Sequence, residues 1–575
     1  MSSKSKRRRA HPQARIGPEK NGRLWTVVLL AAIILFFSAI RFRLRTMSLE
    51  RDEGEYAYAG QLILQGIPPY QLAYNMKLPG TYAAYALMMT VFGQSSVGIH
   101  LGMIVVNGAT IILVFLLAKR LWDRIAGLAA AAIYGLLSNS GAVLGFAGHA
   151  THFVVLAALA GILVLLRALE TKRIALYFLS GVFMGLAFVS KQPGLVFALF
   201  GAFYAAVIQR RELTTWPIMS RLATYSAGAA VPFALTCLIL FFAGELGRMW
   251  FWTFSYASQY AYETLRWQAW DNLFHFGPLV VATHYPAWIL AALGLVAFTW
   301  DQRLRKHALF AIGFLLFSWG GVCIGFYFRP HYFILVLPAV SLLAGVTVST
   351  AATELSRFFE KPVAIAIPAS VLVVALGISV WGQSDSLFRT DSVTLSREWY
   401  GMSPFPEAEV VSQYLKTNTQ KDIKVAVLGS EPEIYFYSGL HSATGYIYVY
   451  PLFESQSFAL QMQQEMAKEI EDNRPEYIVL VKVVTSWQVY PRAERWILKW
   501  FTGYLADHYQ LVGVADEITP QTRYVWGDEA RAYKEEAESA VEVYKRTNQP
   551  PPSPSGLALP GPSSEKVPGL SAKRM

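Results

Sequence analysis

Charged residues and cysteines are both scarce in this sequence. Asp, Glu, Lys and Arg make up only 15% of its 575 residues, whereas water-soluble domains carry about a quarter. The two cysteines, Cys237 and Cys323, lie within apolar stretches, which excludes a disulfide framework. With 54% hydrophobic residues, the chain is predicted to cross a membrane several times.

The formal net charge of +11 does not indicate nucleic acid as a partner. The Lys and Arg residues stand mainly in short runs between apolar segments, which is how topology signals are placed. The N-terminal run KSKRRR predicts a cytoplasmic N-terminus for a multi-pass protein of the cell inner (plasma) membrane. The first apolar segment, LWTVVLLAAIILFFSAI, has no small-residue cleavage site after it and is predicted to stay as an anchor.

About eleven transmembrane helices are predicted. Their approximate positions are 24–41, 97–118, 125–141, 150–166, 174–190, 194–208, 222–243, 280–299, 307–327, 332–347 and 362–381. Four of the predicted cytoplasmic loops are basic, as the positive-inside rule requires: AKRLWDR, LETKR, QRREL and DQRLRKH. The loop ELSRFFEK is neutral, and Arg41, Arg43 and Arg45 fall on the outer side against the rule. An odd number of spans places the C-terminal region outside the cytoplasm.

The fold class that follows is a polytopic α-helical membrane protein with a small C-terminal extracytoplasmic α/β domain. Strands are predicted in IKVAVLGSEPEIYFYSG and RPEYIVLVKV, with the helix FALQMQQEMAKEIEDN between them, which indicates a partly parallel sheet. The predicted boundaries are a basic cytoplasmic tail (1–23), a transmembrane domain (24–384), the α/β domain (385–535) and a tail (536–575) that begins as a helix and becomes Pro/Ser-rich and disordered.

The first outer loop, residues 42–96, concentrates acidic residues at the membrane surface in RDEGEYAYAGQLILQGIPPY. Asp52 and Glu53 would form a solvated N-cap for the helix EYAYAGQLILQG, or a partly desolvated pair in which a carboxylate accepts a proton from an attacking hydroxyl. Glu55 lies three residues beyond Asp52 and either shares that face or is solvated. Residues 78–93 follow a Pro-Gly turn and are predicted as a juxtamembrane or re-entrant helix.

Two basic groups stand at the outer ends of apolar spans. Lys191 in VSKQPG either extends to the interface as an anchor or binds a phosphate whose negative charge grows during a reaction. The motif RPHYF contains Arg329, His331 and Tyr332, and an arginine there can bind phosphate through two parallel hydrogen bonds. Interfacial anchoring is the alternative for this group as well.

Histidines and aromatic residues give weaker signals. His149 and His152 in GHATH are spaced i, i+3, and two histidines alone are a weak metal signal, so no metal site is predicted. Phosphate binding or steering of an acceptor is the other role for His152. The pattern identifies no cofactor and leaves the need for a divalent metal open. The aromatic loop at 249–270 could shelter a lipid or form an interfacial belt.

The outer loop RDEGEYAYAGQLILQGIPPY, with KLPGTYAAYALMMTVFG after it, resembles that of the C-type (GT-C) membrane glycosyltransferases, in the bacterial dolichyl-phosphate-mannose–protein mannosyltransferase-like branch. The matching positions are Asp52, Glu53, Tyr56, Ala57, Gly66, Pro69, Tyr70, Lys77, Pro79 and Tyr82. The resemblance continues in LAKRLWDRIAGLAAA, GLAFVSKQPGLVF and RPHYFILVLPA, and it covers about residues 20–380.

This resemblance implies transfer of a sugar from a polyprenyl-phosphate carrier to a hydroxyl of a glycan, lipid or protein acceptor, by inverting displacement at the outer face of the bilayer. Asp52 would be the general base, and Glu53 would orient the acceptor or hold Asp52. The residues implied to bind the donor phosphate are Lys77, Lys191, Arg329, His331 and Tyr332. Those implied to contact the acceptor or the sugar are Glu55, Tyr56, Tyr70, Tyr82, His149 and His152.

Three alternatives remain at this point. A lipid-linked oligosaccharide transferase would share the fold. A transporter or flippase of a lipid-linked glycan should show ionisable residues near the middle of the membrane, or interrupted helices in two matching halves, and the sequence shows neither clearly. A noncatalytic scaffold around the α/β domain leaves the clustered charges Asp52, Glu53, Lys77 and Lys191 without a shared purpose.

Overall fold

The computed structural model describes residues 18–210, 213–263, 266–420, 423–490, 492–517 and 521–547. A helical region is followed by a C-terminal α/β region. The predicted Pro/Ser-rich tail and most of the basic N-terminal tail lie outside the described residues.

The helical region is built from α-helices joined by short connections. They are α1 (Pro18–Arg43), α2 (Arg51–Leu64), α3 (Gly80–Phe92), α4 (Ser96–Leu121), α5 (Arg124–Leu137), α6 (Ala150–Thr171), α7 (Ile174–Ser190), α8 (Leu195–Gln209), α9 (Thr215–Phe242), α10 (Leu246–Trp250), α11 (Ala257–Glu263), α12 (Arg266–Thr283), α13 (Tyr285–Ala297), α14 (Gln302–Arg305), α15 (Ala308–Cys323), α16 (Leu337–Leu355) and α17 (Lys361–Trp381). Short 3₁₀ segments occur at Gly141–Val143, Gln192–Gly194 and Pro330–Leu335, and π-helical segments at Phe251–Tyr256 and Asp385–Arg389.

Seven segments in the described part of the chain are long and apolar enough to cross a membrane: α1, α4, α6, α8 with the turn before it, α9, α16 and α17. The pair α12 and α13, bent by 95° at its break, gives an eighth candidate. The helices α5, α7 and α15 are apolar but shorter. Each of the eleven predicted segments therefore contains a helix, the protein is a multi-pass membrane protein, and the number of crossings stays a prediction.

Helix α3 corresponds to the segment predicted as a juxtamembrane or re-entrant helix. Its first residue, Gly80, lies so close to the end of α7 that a Cβ there would be 2.5 Å from the Val189 carbonyl oxygen. Thr81 Oγ1 donates to the Ser190 carbonyl (2.8 Å), and Gln192 Nε2 donates to the Met76 carbonyl (2.7 Å). These contacts hold the loop before α3 against the C-terminal end of α7.

The arginines that conflict with the positive-inside rule have local partners. Arg41 donates to the carbonyl oxygens of Ser138 (3.0 Å) and Gly145 (2.5 Å). Arg43 donates to the carbonyl of Ser386 (3.3 Å). These contacts are made within the protein and hold neighbouring loops, so the two charges have a role other than that of topology signals.

The α/β region contains a six-stranded sheet with the order β2-β1-β3-β6-β4-β5. Its elements are α18 (Ser392–Tyr400), α19 (Phe405–Asn418), β1 (Lys424–Leu428), α20 (Glu433–Ser438), β2 (His441–Ser442), α21 (Tyr450–Phe453), α22 (Ala459–Asn473), β3 (Tyr477–Lys482), α23 (Val484–Trp487), α24 (Trp496–His508), β4 (Tyr509–Asp516), β5 (Arg523–Trp526), α25 (Asp528–Ala532) and β6 (Ala540–Arg546). The predicted strands are β1 and β3, which pair in parallel, whereas β3, β6, β4 and β5 pair antiparallel. The sheet confirms the predicted α/β character.

The prediction that the tail (536–575) begins as a helix is wrong for residues 540–546. This segment is strand β6, which lies inside the sheet between β3 and β4. The first five residues of its sequence AVEVYKR are all buried, with Val541 and Val543 at 0% exposure, as expected for a strand covered on both faces. The acidic residues before it favour helix locally, but burial between two strands outweighs that preference. The boundary predicted at 535 therefore cuts the sheet.

Candidate active site

The first turn of α2 positions the acidic cluster. Glu50 is the N-cap residue, and its side chain accepts a hydrogen bond from the Glu53 backbone N–H (3.1 Å), while the Glu53 side chain accepts one from the Glu50 N–H (3.5 Å). This reciprocal cap satisfies two backbone donors. Capping is thus done by Glu50, with Glu53 as its partner, and Asp52 projects elsewhere.

Asp52 lies at the centre of the cluster, with about a fifth of its side chain exposed (21%). Its Oδ1 is 2.7 Å from Lys77 Nζ, and its Oδ2 is 3.6 Å from His149 Nδ1 and 3.9 Å from His331 Nε2. Burial alone would raise the pKa of Asp52, but Lys77 and the two histidines hold that pKa well below its usual range. The carboxylate is therefore ionised and partly exposed to solvent.

Lys77 connects Asp52 to a second carboxylate. Its Nζ is also 2.7 Å from Glu55 Oε2, and the Glu55 side chain is fully buried. Burial lowers the pKa of Lys77, but the two carboxylates together raise it well above the usual range. For Glu55, burial has the larger effect and raises the pKa, although Lys77 opposes it. Lys77 is thus a largely buried cation that is paired with two carboxylates, those of Asp52 and Glu55.

The three tyrosines that the resemblance implies to contact the acceptor or the sugar lie around Lys77 and its partner Glu55. Tyr70 donates to the Lys77 carbonyl (2.6 Å), Tyr82 donates to Glu55 Oε1 (2.5 Å), and the ring of Tyr56 is 4.6 Å from Lys77 Nζ. None of the three is more than 1% exposed. Glu55 is buried as well, and the acceptor or sugar contact that the resemblance implies for these residues stays a prediction. The contacts favour a role in positioning Lys77.

Glu53 faces the loop before α6. Its Oε1 accepts a hydrogen bond from the Gly148 N–H (2.5 Å) and lies 3.4 Å from His100 Nε2. Burial raises the pKa of Glu53, but His100 and the Gly148 N–H together lower it below the usual value. Since Gly148 directly precedes His149, this contact fixes the histidine that faces Asp52. The resemblance implies that Glu53 orients the acceptor or holds Asp52, and that stays a prediction, since the contacts seen here are with Glu50, Gly148 and His100.

His149 and His331 stack face to face beside Asp52. Their ring centroids are 4.2 Å apart with an angle of 16° between planes, and both residues are buried. Burial is the main reason that the pKa of His331 lies well below its usual value, so this imidazole is neutral. Neither nitrogen of His149 has a hydrogen-bond partner among the described residues. His152 is buried in the first turn of α6, and its Nε2 likewise has no such partner in the described part of the chain.

Asp52, His149 and His331 together could hold a divalent cation. One ligand atom from each lies within 4.8 Å of the others, and two imidazoles with a carboxylate are a donor set that suits zinc and related metals. The unpartnered nitrogens of His149 fit this use. The sequence predicts no metal site, because it pairs His149 only with the nearby His152. In the structure the second histidine beside Asp52 is His331 of RPHYF, which is distant in the chain.

Lys191 and Arg329 differ from Lys77 in having no carboxylate within ion-pair distance among the described residues. Lys191 follows α7, and its Nζ lies 4.3 Å from the centre of the Tyr332 ring. Arg329 lies over the ring of Tyr327 at 5.5 Å. Burial lowers the pKa of Lys191 to about 7, with Lys77 and Arg329 contributing and Asp52 opposing. Two cations therefore face the site without a counter-charge.

The structure brings most of the predicted residues together. Asp52 and Arg329 are near enough to Lys191 to affect its pKa, and His331 contacts Asp52. Sequence reasoning missed Glu50, His100 and Tyr448, whose hydroxyl is 3.4 Å from Asp52 Oδ1. A histidine at the start of an apolar span was a usable signal for His100. Nothing near Tyr448 in the sequence indicated its place.

Residues 77–235 match the family model described as dolichyl-phosphate-mannose-protein mannosyltransferase. This match includes Lys77, His149 and Lys191, and it confirms the resemblance inferred from the sequence over that part of the chain. Comparison with curated proteins finds no match.

Similar solved structures are found for ArnT from Cupriavidus metallidurans. In the apo state it is 15% identical, with a TM-score of 0.55, and the alignment covers 91% of this chain and 98% of ArnT. Bound to undecaprenyl phosphate it is 16% identical, with a TM-score of 0.50 and coverage of 79% and 93%. The oligosaccharyltransferase of Archaeoglobus fulgidus is 12% identical, with a TM-score of 0.46 and coverage of 87% and 74%. The ArnT similarity confirms the predicted fold class.

Proposed function

We propose, from the C-type glycosyltransferase fold and the mannosyltransferase-family segment, that this membrane glycosyltransferase takes its sugar from a polyprenyl-phosphate carrier. The acceptor is a hydroxyl at the extracytoplasmic face of the inner (plasma) membrane, on a glycan, lipid or protein. One observation is the main support: Asp52 shares a site with Lys191 and Arg329, two cations without carboxylate partners among the described residues. The ArnT structure with undecaprenyl phosphate has the same fold and supports this class of carrier.

Lys191 and Arg329 bind the phosphate of the carrier. Arg329 offers a planar pair of N–H donors, and Lys191 adds a compact charge beside it. As the bond from the anomeric carbon to the phosphate oxygen breaks, negative charge grows on the phosphate, and fixed cations stabilise that change. Because phosphate is already a good leaving group, a second carboxylic acid is not needed to protonate it.

Asp52 accepts the proton of the acceptor hydroxyl as that oxygen attacks the anomeric carbon. A single displacement inverts the configuration of that carbon. The ion pair with Lys77 makes Asp52 a weak base in the structure described here. The negative charge of the phosphate bound at Lys191 and Arg329 raises the proton affinity of the nearby Asp52 carboxylate, so Asp52 becomes more basic when the donor is bound.

A divalent cation held by Asp52, His149 and His331 would supply Lewis-acid polarisation of an oxygen in the site. The protein groups keep their own roles beside it: Glu53 fixes the loop of His149 through Gly148, and Lys77 holds the opposite oxygen of Asp52.

One interrupted helix fits the alternative of a transporter, but a second one in a matching half is not found among the described residues. The break between α12 and α13 is an interrupted helix of the kind that transporters use. It is the one such bent pair among the described residues, whereas repeat-built transporters have such breaks in matching halves. The glycosyltransferase proposal therefore accounts for more of the structure.

The test is transfer by the purified protein in lipid nanodiscs, with a panel of polyprenyl-phosphate sugars and radiolabelled acceptor extracts. Wild type, Asp52→Asn and the exposed control Asp507→Asn are compared. We expect transfer by wild type and by the control, and loss of transfer in Asp52→Asn. Transfer by Asp52→Asn at the wild-type rate would remove Asp52 from the catalytic role. Uptake of the lipid-linked sugar into vesicles without transfer would favour the transporter.

A further inference from the structure

The α/β region reaches the proposed catalytic carboxylate through one loop. Tyr448 lies between β2 and α21, and its hydroxyl donates to the Arg51 carbonyl at 2.8 Å. The same hydroxyl is 3.4 Å from Asp52 Oδ1. Tyr448 is only 6% exposed, so its ring cannot swing freely away from α2.

Arg51, the first residue of α2, is held by the same region. Its Nε donates to the Ser430 carbonyl (2.6 Å), and its guanidinium pairs with Glu431 at 2.7 Å. The Glu431 side chain is fully buried. Its second oxygen accepts hydrogen bonds from the Ser430 N–H (2.7 Å) and from Ser486 Oγ (2.5 Å). Because both oxygens of the buried Glu431 accept hydrogen bonds, this ion pair is a rigid attachment point for Arg51.

The Tyr450 ring completes this attachment, with its centre 5.3 Å from the Arg51 guanidinium carbon. The first turn of α2 is thus held from two directions. Lys77 of the helical region holds Asp52 Oδ1 from one side, and the α/β region holds the backbone of Arg51 from the other. A change in how the α/β region packs against α2 would therefore move the backbone of Asp52.

Tyr448 has one hydroxyl proton to share between two acceptors. It is nearer to the Arg51 carbonyl than to Asp52 Oδ1, while Lys77 is the close donor to Oδ1. Lys77 is shared between Asp52 and Glu55, so its contact alone does not fix the direction of Asp52 Oδ1. The Tyr448 hydroxyl is then the group in place to orient the carboxylate.

We propose that Tyr448 is a positioning residue for Asp52, and that the α/β region is thereby part of the active site of this transferase. The inference rests on the proposed function and adds a residue and a region to it. A sub-ångström shift of a catalytic group lowers the rate without changing how tightly the substrate binds. The expected effect is therefore on kcat and not on the KM for the donor.

The experiment is a double-mutant cycle between Tyr448→Phe and Asp52→Asn in nanodiscs, with Tyr446→Phe as the matched control. Tyr446 lies in the same loop, is also buried and donates to Glu465 at 2.8 Å, away from Asp52. We expect Tyr448→Phe to lower kcat about tenfold, the effect of one hydrogen bond to a charged group, at unchanged donor KM. In the Asp52→Asn background the same change should cause no further loss. Tyr446→Phe should retain wild-type kcat.

Equal losses from Tyr448→Phe in both backgrounds would overturn the inference, because they would show an effect that does not pass through Asp52. So would an unchanged kcat, or a loss confined to donor KM. If Tyr448→Phe lowers the unfolding temperature below that of Tyr446→Phe, Glu431→Gln replaces it, and a several-fold loss of kcat at unchanged KM is expected. Full activity of Asp52→Asn would refute the proposed function instead, whatever Tyr448→Phe does.

Discussion

The acidic side and the cationic side of the site are organised in opposite ways. Asp52 and Glu55 share Lys77, and Glu53 binds a backbone N–H and faces a histidine. On the other side, Lys191 and Arg329 each contact an aromatic ring. Neither has a carboxylate within ion-pair distance in the described part of the chain. Burying a cation without a counter-charge is costly.

This difference separates residues that build the site from residues that await a ligand. A buried ion pair whose members satisfy each other stabilises geometry, whereas an unpaired buried cation is tolerated where an anion arrives during function. The resemblance implies that Lys77 binds phosphate. Its contacts with Asp52 and Glu55 instead place it among the residues that build the site. Lys191 and Arg329 remain the groups ready to bind phosphate.

The largest expected effect is on the rate after Asp52→Asn. Loss of a general base costs about a thousandfold in kcat, and the asparagine keeps the shape of the side chain. Initial rates at saturating donor measure it. Glu53→Gln should cost less, because Glu53 is buried and its contact with Gly148 holds the loop of His149. Equal losses from both substitutions would mean that the two carboxylates act as one unit.

Stability after removal of each lysine should change in opposite directions. Lys77→Met leaves Asp52 and Glu55 buried without their cation and should cost about 3–5 kcal/mol. Lys191→Met removes an unpaired, partly buried charge and should raise the unfolding temperature. Thermal unfolding of the two variants in detergent provides the measurement. Destabilisation by Lys191→Met would show that Lys191 has a structural partner in the folded protein.

Donor binding should depend more on Lys191 than on exposed lysines of the α/β region. Lys191→Met should raise the donor KM about a hundredfold, the loss of one desolvated charge on a phosphate. Lys191→Arg should retain part of the binding, because arginine keeps the charge but changes the geometry. Lys468→Met, at an exposed position, is the control. A normal KM in Lys191→Met would place the phosphate elsewhere.

The smallest expected effect is a dependence of donor KM on pH. Lys191 has a pKa of about 7 in the structure, so the fraction carrying a positive charge falls as the pH rises through 7. The donor KM should then rise by at most about tenfold per pH unit, the limit for one proton. Lys191→Arg stays charged and should show a flat profile. A rise of equal size in Lys191→Arg would assign the titration to another group.

The local features of α2 and α3 were predictable from their residues. The run EYAYAGQLILQG forms most of α2 (Arg51–Leu64), and the segment after the Pro-Gly turn forms α3. In the turn between them Gly66 has φ +80°, a conformation that glycine adopts without strain. Periodicity and turn chemistry act over a few residues, so a single sequence contains enough information for these elements.

The convergence of distant groups was predictable only as a hypothesis. The nearness of Lys77 to Lys191 depends on contacts of Thr81 and Gln192 that hold α3 against α7, and no spacing rule encodes them. His331 joins His149 through packing of the 3₁₀ segment against α6. Tyr448 could not be found at all, because its role depends on docking of the α/β region. Strand β6 was missed for a similar reason, since its two neighbours in the sheet come from elsewhere in the chain.

The central claim is that the phosphate of a carrier lipid binds between Lys191 and Arg329, beside Asp52. A cryo-electron microscopy map of the protein in nanodiscs with an undecaprenyl-phosphate sugar tests it most directly. We expect phosphate density within hydrogen-bond distance of both cations, with the anomeric carbon facing the Asp52 carboxylate. Phosphate density away from both cations, or a sugar turned away from Asp52, would contradict it.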